Sequence, residues 1–143
     1  MTFTAEMRLG SLELVAALAV FAVLAARGRS PLGDAGVRVQ LDIHLQSPGA
    51  GAQPMALTVT PGTAAIVGRS HNAQAPVDDP EVSRRHAQFE TADGLLYAAD
   101  LGSANGTFLN GKRLGGEGIE VRSGDYIDVG NSRIVIRAVR SAE

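Results

Sequence analysis

Hydrophobic and polar residues follow two different patterns along this chain, and the change between them divides it. Residues 12–26, LELVAALAVFAVLAA, are apolar except for Glu13, and the run has the composition of a helix. From Val37 onward the apolar residues recur at every second position, which is the period of a half-buried β-strand. The sequence therefore predicts an N-terminal helix followed by an all-β body.

The N-terminal helix reaches the length of a membrane span only if it extends over residues 9–26. Such a helix is about 27 Å long, close to the roughly 30 Å of a bilayer's hydrocarbon core. We therefore predict an N-terminal segment over residues 1–26 that contains a membrane helix, and a flexible linker over residues 27–36. Arg27 and Arg29 follow the apolar run, so the positive-inside bias places the body in the cytoplasm. A cleaved signal peptide and a helix packed on the protein remain alternatives.

The body consists of short strands separated by turn residues. The stretch 37–45, VRVQLDIHL, alternates without interruption and predicts a strand with one apolar face. Further strands are predicted at residues 56–59, 64–68, 86–90, 95–100, 107–109, 112–114, 119–121, 126–129 and 133–139. Asn110-Gly111 is the signature of a two-residue type I′ hairpin. Short strands with Gly, Asn, Asp or Pro in nearly every gap predict an all-β sandwich or barrel.

Composition and motif spacing exclude several kinds of chemistry. The net charge of −2 gives no basic field for nucleic acid, and the absence of cysteine excludes thiolate metal sites. Residues 106–112, GTFLNGK, match most of a nucleotide-binding P-loop, but Arg113 stands where that motif needs Ser or Thr. Ser83 lies three residues before His86, but the sequence shows no oxyanion site, so these two residues do not indicate a catalytic serine. We expect no catalytic residue, metal, cofactor or small-molecule substrate.

Polar residues in three predicted turns form a candidate anion site. Arg69 lies in the first turn, Ser83 and Arg84 lie in the second, and Asn105 lies in the third. If one end of a sandwich gathers these turns, two guanidinium groups, a hydroxyl and an amide converge. Arginine binds phosphate oxygens in a bidentate manner, so a phosphomonoester dianion is the ligand that suits this set.

The same turns resemble the motifs of the forkhead-associated (FHA) domain. The matching strings, in order, are Gly68-Arg69, Ser83-Arg84-Arg85-His86 and Ser103-Ala104-Asn105-Gly106-Thr107. The resemblance covers about residues 37–140 and implies a β-sandwich of about eleven strands whose apical loops bind phosphothreonine in other proteins. A membrane segment before such a domain resembles the membrane-anchored FHA proteins of bacteria.

The resemblance also implies roles for individual residues. Arg69 and Ser83 are expected to contact the phosphate, Arg84 to add a second cationic contact, and Asn105 to hydrogen-bond the peptide backbone. The residues expected to hold the loops in shape are Gly68, His86 and Gly106. Ala104 stands where the family often has Thr or Ser, and the missing hydroxyl contact is expected to cost roughly 1 kcal/mol of binding.

The predicted function is a phosphothreonine-dependent adaptor or scaffold in Ser/Thr kinase signalling, and not an enzyme. Its partners are expected to be phosphothreonine proteins, including kinase substrates or the kinase itself, and nucleic acid is not expected to bind. The protein itself is expected to be held in the cell membrane by its single-pass N-terminal helix. Glu81, two residues before Ser83, is expected to disfavour an acidic peptide residue C-terminal to the phosphothreonine. The alternative function is a phosphate-independent or extracytoplasmic interaction domain with a degenerate FHA site.

Overall fold

Two β-sheets packed face to face make up the part of the chain that the computed structural model describes, residues 37–142. The first sheet has the strand order β2-β1-β11-β10-β7-β8 and the second β4-β3-β5-β6-β9. The strands are β1 Arg38–Ser47, β2 Ala50–Val59, β3 Ala65–Gly68, β4 Ala75–Pro76, β5 Ala87–Ala92, β6 Leu95–Asp100, β7 Thr107–Leu109, β8 Lys112–Arg113, β9 Ile119–Val121, β10 Tyr126–Val129 and β11 Ser132–Ala142. β3 and β4 pair in parallel, and the other pairs are antiparallel.

The predicted alternation is the pattern that builds the core. Along β1, Val39, Leu41 and Ile43 are buried, whereas Arg38 and Gln40 are exposed. The largest buried side chains of both sheets are Phe89, Leu41, Ile43, Leu96, Ile127, Ile134 and Ile136. Full burial of a side chain of this size contributes about 1.5–3 kcal/mol. The hydrophobic pattern therefore determines which face of each strand points into the sandwich.

All ten predicted strands are present, and two features of the sheets were not predicted. β2 begins at Ala50 instead of residue 56, because its exposed first half still pairs with β1, for example Gln53 with Leu45. β4 has only two residues, Ala75–Pro76, so it has no readable period. The predicted helix over residues 9–26 and the linker over residues 27–36 lie outside the described residues. Within residues 37–142, no helix has the length and apolar character that crossing a bilayer requires.

The Asn110-Gly111 turn joins β7 to β8 as predicted. Both residues have positive φ, 50° at Asn110 and 85° at Gly111, as a type I′ turn requires. The Asn110 side chain accepts a hydrogen bond from Tyr126 N and donates one to Asp125 Oδ1, each 3.0 Å long. Gly111 therefore belongs to a hairpin turn, and the Asn110 side chain holds this turn against the start of β10.

Three connections meet at one end of the sandwich, and we call them the apical loops. They are the β3–β4 loop (residues 69–74), the β4–β5 loop (residues 77–86) and the β6–β7 loop (residues 101–106). Arg69 N donates to the carbonyl oxygen of Ser83 over 3.0 Å, which joins the first loop to the second. Ala104 N donates to Ser83 Oγ over 3.1 Å, which joins the third loop to the second.

Candidate functional site

The end of β3 passes very close to the β4–β5 loop, and this approach requires a glycine. A Cβ atom on Gly68 would lie 2.7 Å from the carbonyl carbon of Arg84 and would overlap the carbonyl oxygen. Arg69 follows directly, with an exposed side chain whose Nε donates to the carbonyl oxygen of Val82 over 3.1 Å. The Arg69 guanidinium is therefore anchored through Nε, while its two terminal nitrogens remain available to a ligand.

A buried histidine connects the β4–β5 loop to the β6–β7 loop. His86 Nδ1 accepts a hydrogen bond of 3.0 Å from the backbone N–H of Ser83. Because Nδ1 is an acceptor, the ring hydrogen is on Nε2, which lies 2.8 Å from the carbonyl oxygen of Gly106 and donates to it. The His86 side chain is fully buried. One imidazole thus fixes the position of Ser83 relative to the Asn105-Gly106 turn.

The hydroxyl of Ser83 points between two apical loops. Its oxygen accepts the 3.1 Å hydrogen bond from Ala104 N, so the hydroxyl hydrogen is directed elsewhere and can be donated to a ligand. Ala104 is exposed and supplies its backbone N–H but no hydroxyl of its own.

Asn105 lies next to Ser83, and its side-chain amide is partly occupied. Asn105 Nδ2 donates to the carbonyl oxygen of Glu81 over 2.8 Å and to Glu81 Oε2 over 3.0 Å. Both amide hydrogens are used within the domain, so the amide oxygen is the group that remains for a ligand. Gly106 follows with φ of +85°, a conformation that strains residues with a Cβ.

The exposed arginines that have no carboxylate partner within residues 37–142 are four at the apical end, together with Arg38 and Arg137 on strands β1 and β11. Elsewhere in the described chain, Arg122 pairs with Glu120, Arg133 with Asp128 and Arg140 with Asp42. The exposed arginines at the apical end that form no ion pair within residues 37–142 are Arg69, Arg84, Arg85 and Arg113. Arg84 lies between Ser83 and Arg85, and its carbonyl oxygen accepts a 3.3 Å hydrogen bond from Ser70 N. The apical loops also carry Asp78, Asp79 and Glu81, so the positive charge lies at individual guanidinium groups and is not a net charge of the loops.

A buried carboxylate that sequence analysis missed supports the β4–β5 loop. Asp79 is 1% exposed; its Oδ1 accepts from Glu81 N, and its Oδ2 accepts from Asn131 N and Ser132 Oγ, over 2.8–2.9 Å. Burial alone raises the pKa of Asp79, but the hydrogen bonds from Glu81, Ser132 and Asn131 outweigh burial and leave the pKa below its usual value. The carboxylate is therefore charged at neutral pH and ties the loop to the β10–β11 turn.

A second missed carboxylate shapes the β6–β7 loop. Asp100 Oδ1 accepts hydrogen bonds of 2.6 Å from the hydroxyls of Ser103 and Thr107, and Oδ2 accepts from the backbone N–H groups of Gly102 and Ser103. Ser103 Oγ in turn accepts from Gly106 N over 2.9 Å. The spacing of Asp100 to Gly102 is that of an Asx turn, and an Asp two residues before a Gly is the sequence signal that could have identified it.

The arrangement is suited to binding an anionic group. Within residues 37–142, no three or more His, Asp or Glu side chains are placed to hold a metal ion. The four predicted ligand-contacting residues, Arg69, Ser83, Arg84 and Asn105, all lie on the apical loops, which are hydrogen-bonded to one another. One end of the β-sandwich therefore presents hydrogen-bond donors on loops that are held in place by one another.

Comparisons with known proteins identify the kind of module. A family model for the FHA domain matches residues 65–130. The FhaA FHA domain, solved in complex with the intracellular domain of Rv3910, is 31% identical, and the match covers 71% of this chain and 100% of that chain with a TM-score of 0.54. A structure from a structural and functional analysis of phosphothreonine-dependent FHA domain interactions is 30% identical, covering 67% and 95% of the two chains with a TM-score of 0.56. The chain belongs to the FHA domain family.

Among the curated relatives is the oxoglutarate dehydrogenase inhibitor of Corynebacterium diphtheriae. It is 40% identical over 68 residues, which is 48% of this chain and 46% of that protein. The chain spans about half the length of the oxoglutarate dehydrogenase inhibitors that it matches, and 13% of the FhaA protein of Mycobacterium tuberculosis. Membership of the FHA family indicates a binding or regulatory module.

Proposed function

We propose that this protein binds other proteins through a phosphorylated threonine, and that Arg69, Ser83, Arg84 and Asn105 form the binding site. The observation that carries the proposal is the set of free donors on interlinked apical loops. The terminal nitrogens of Arg69 and the hydroxyl hydrogen of Ser83 are unused, while the groups behind them are hydrogen-bonded in place. A phosphate dianion has three acceptor oxygens and suits such donors.

The energetics favour a charge-assisted contact with the phosphate. Hydrogen bonds to charged groups contribute about 1.5–3 kcal/mol each, so Arg69 and Ser83 supply the largest share. Arg84 adds a second positive charge. The hydroxyl that Ala104 lacks removes roughly 1 kcal/mol. An affinity in the micromolar range, about −8 kcal/mol, is compatible with this set of contacts.

Asn105 reads the peptide backbone through its side-chain oxygen. Both Nδ2 hydrogens are donated to Glu81, so an arriving backbone N–H finds Oδ1 as its acceptor. This contact fixes the register of the peptide beside the phosphothreonine. It also makes the position of Glu81 part of the binding site.

The proposed biological role is that of a membrane-tethered adaptor. Residues 9–26 supply the anchor, residues 27–36 supply the linker, and the FHA domain over residues 37–140 faces the cytoplasm, where kinases use ATP. Tethering raises the effective concentration for partners at the membrane, so a modest affinity suffices. The partners are phosphothreonine proteins, including Ser/Thr kinase substrates or the kinase. A curated relative that is named as an enzyme inhibitor supports a regulatory role.

A titration of the full chain tests the binding site. The protein, kept in mild detergent because residues 9–26 are apolar, is titrated with a degenerate phosphothreonine peptide library and with its phosphoserine and unphosphorylated counterparts. Binding is expected for the phosphothreonine library, and Arg69→Ala is expected to weaken it by about tenfold or more. Arg137→Ala, at an exposed arginine within β11 and outside the apical loops, is the matched control and is expected to bind normally.

Two outcomes would favour the alternative function. Equal binding of phosphorylated and unphosphorylated libraries, or of wild type and Arg69→Ala, would indicate a phosphate-independent interaction domain. A reporter fusion at the C terminus that proves extracytoplasmic would also contradict the phosphothreonine adaptor, because that side of the membrane lacks the kinase's ATP.

A further inference from the structure

Arg113 lies against the Asn105-Gly106 turn although it comes from a different hairpin. It belongs to β8 and pairs with Phe108 across the β7–β8 hairpin. Its guanidinium folds back over Gly106: Nε and Cζ lie 3.3 and 3.4 Å from the point that a Cβ of residue 106 would occupy. The space exists because residue 106 is a glycine with positive φ. The side chain is exposed and therefore accessible to a ligand.

The charge of Arg113 is not neutralised by the described part of the protein. Arg113, like Arg38 and Arg137, forms no ion pair within residues 37–142, whereas Arg122, Arg133 and Arg140 each pair with a carboxylate. The carboxylate on the neighbouring loop, that of Glu81, accepts a hydrogen bond from the Asn105 amide. An unpaired guanidinium held beside a peptide-contacting turn is a site for an anion.

We propose that Arg113 is a specificity-determining residue that binds the carboxylate of an acidic side chain in the phosphothreonine ligand. This inference rests on the proposed function, since it concerns a second feature of the same ligand. Arg69 and Ser83, on the β3–β4 and β4–β5 loops, hold the phosphate. Arg113 adjoins Asn105-Gly106, the turn that contacts the peptide backbone, so it meets a side chain close in sequence to the phosphothreonine. This side chain is not the C-terminal one at which Glu81 is expected to disfavour an acidic residue.

The preference is modest and depends on salt. Exposed ion pairs stabilise a complex only weakly, which corresponds to about a threefold difference in Kd. Screening shortens the range of such a contact to about 8 Å at physiological ionic strength, so the preference decreases further at high salt. The guanidinium is already placed over Gly106, which limits the entropy lost when the ligand binds.

A peptide array with matched arginine variants tests the inference. Each position within about four residues of the phosphothreonine is replaced in turn by Asp or by Asn, and Kd is measured with the full chain in mild detergent. Wild type is expected to prefer Asp over Asn about threefold at one position or more. Arg113→Gln is expected to abolish this preference while Kd for the Asn peptides stays within about twofold. Arg113→Lys keeps part of the preference, and Arg137→Gln, the control on β11, keeps all of it.

Three results would overturn the inference while phosphothreonine binding persists. The first is that wild type shows no preference for Asp over Asn. The second is that Arg113→Gln keeps the same preference. The third is that Arg113→Gln loses affinity equally for the Asp and Asn peptides, which would place Arg113 on the phosphate or the backbone. If wild type binds no phosphothreonine peptide of either kind, the proposed function is overturned together with the inference.

Discussion

The imidazole Nε2 of His86 lies 2.8 Å from the carbonyl oxygen of Gly106 and donates a hydrogen bond to it across 20 positions of sequence. The other ring nitrogen accepts from the backbone N–H of Ser83. A single buried side chain therefore couples the loop that carries a proposed phosphate-binding hydroxyl to the turn that carries Asn105. The shape of the proposed site depends on a residue that does not touch the ligand.

Replacing His86 is expected to damage both stability and binding. His86→Ala leaves the Ser83 N–H and the Gly106 carbonyl oxygen without partners, and each such group costs about 1–3 kcal/mol when buried. Urea unfolding is therefore expected to show a loss of roughly 3 kcal/mol. His71→Ala, at an exposed position of the β3–β4 loop, is the control and is expected to change stability by no more than about 0.5 kcal/mol. Equal stability of the two variants would contradict this account of His86.

Asp79 predicts a pH dependence of stability. Its pKa in the folded protein is lowered, so it contributes stability that is present above its unfolded pKa of about 3.9 and is lost as the pH falls through the lower folded value. Asp79→Asn is expected to cost about 2 kcal/mol at pH 7, because an amide N–H group then faces a backbone or hydroxyl donor.

The measurement is urea unfolding of wild type and Asp79→Asn between pH 7 and pH 3. The difference in unfolding free energy is expected to be constant at neutral pH and to shrink below about pH 4. Asp78→Asn is the matched control, since Asp78 is the exposed neighbour and is expected to behave like wild type. A difference that stays unchanged down to pH 3 would show that the Asp79 charge is not the stabilising feature.

The close approach at the end of β3 predicts that Gly68 does not tolerate substitution by a residue with a Cβ. Gly68→Ala places a methyl group onto the carbonyl of Arg84, and backbone atoms cannot move away as a side chain can. The loop pairing must then separate, so we expect a loss of several kcal/mol or failure to fold. Gly51→Ala, on exposed β2 where nothing lies within 4 Å, is expected to be tolerated. Thermal unfolding of the pair tests this, and a normal melting temperature for Gly68→Ala would refute it.

The fold could be predicted from sequence where the pattern is local. The alternation of β1 identified its buried face, and Asn110-Gly111 identified its hairpin, because one strand or one turn carries the whole signal. β4 was missed because its two residues pair with β3 only through the tertiary fold. The exposed half of β2 was missed because it is held by its pairing with β1 and buries no face.

The candidate site likewise contains residues that the sequence identified and residues that only the structure shows. The turn residues Arg69, Ser83 and Asn105 could be chosen from sequence because they offer donors suited to a phosphate and stand in strings whose order and spacing resemble the FHA motifs. Sequence could not show that Asp79 is buried while Asp78 is exposed, since the partners of Asp79 include Asn131, 52 positions away. Nor could it place the Arg113 guanidinium over Gly106, because that contact arises from the path of the β7–β8 hairpin.

Replacing Asp100 is expected to weaken peptide binding more than it lowers the stability of the fold. Its carboxylate accepts four hydrogen bonds, all from the loop that presents Asn105 or from the first residue of β7. Asp100→Asn replaces one accepting oxygen with a donor, so at least one hydroxyl or N–H loses its partner and the turn relaxes. Misplacing a ligand-contacting group by about 1 Å is enough to weaken a contact severely, and we expect phosphothreonine-peptide affinity to fall about tenfold.

The loss of stability in Asp100→Asn is expected to be smaller, about 1–2 kcal/mol, because the loop lies at the edge of the core and retains solvent access. Peptide titration and urea unfolding on the same preparation distinguish the two effects. Asp128→Asn, which removes the surface partner of Arg133, is the control and is expected to bind normally. Unchanged affinity in Asp100→Asn would show that the Asn105 turn keeps its shape without the carboxylate, and Ser103 and Thr107 would then be structural neighbours with no influence on the ligand.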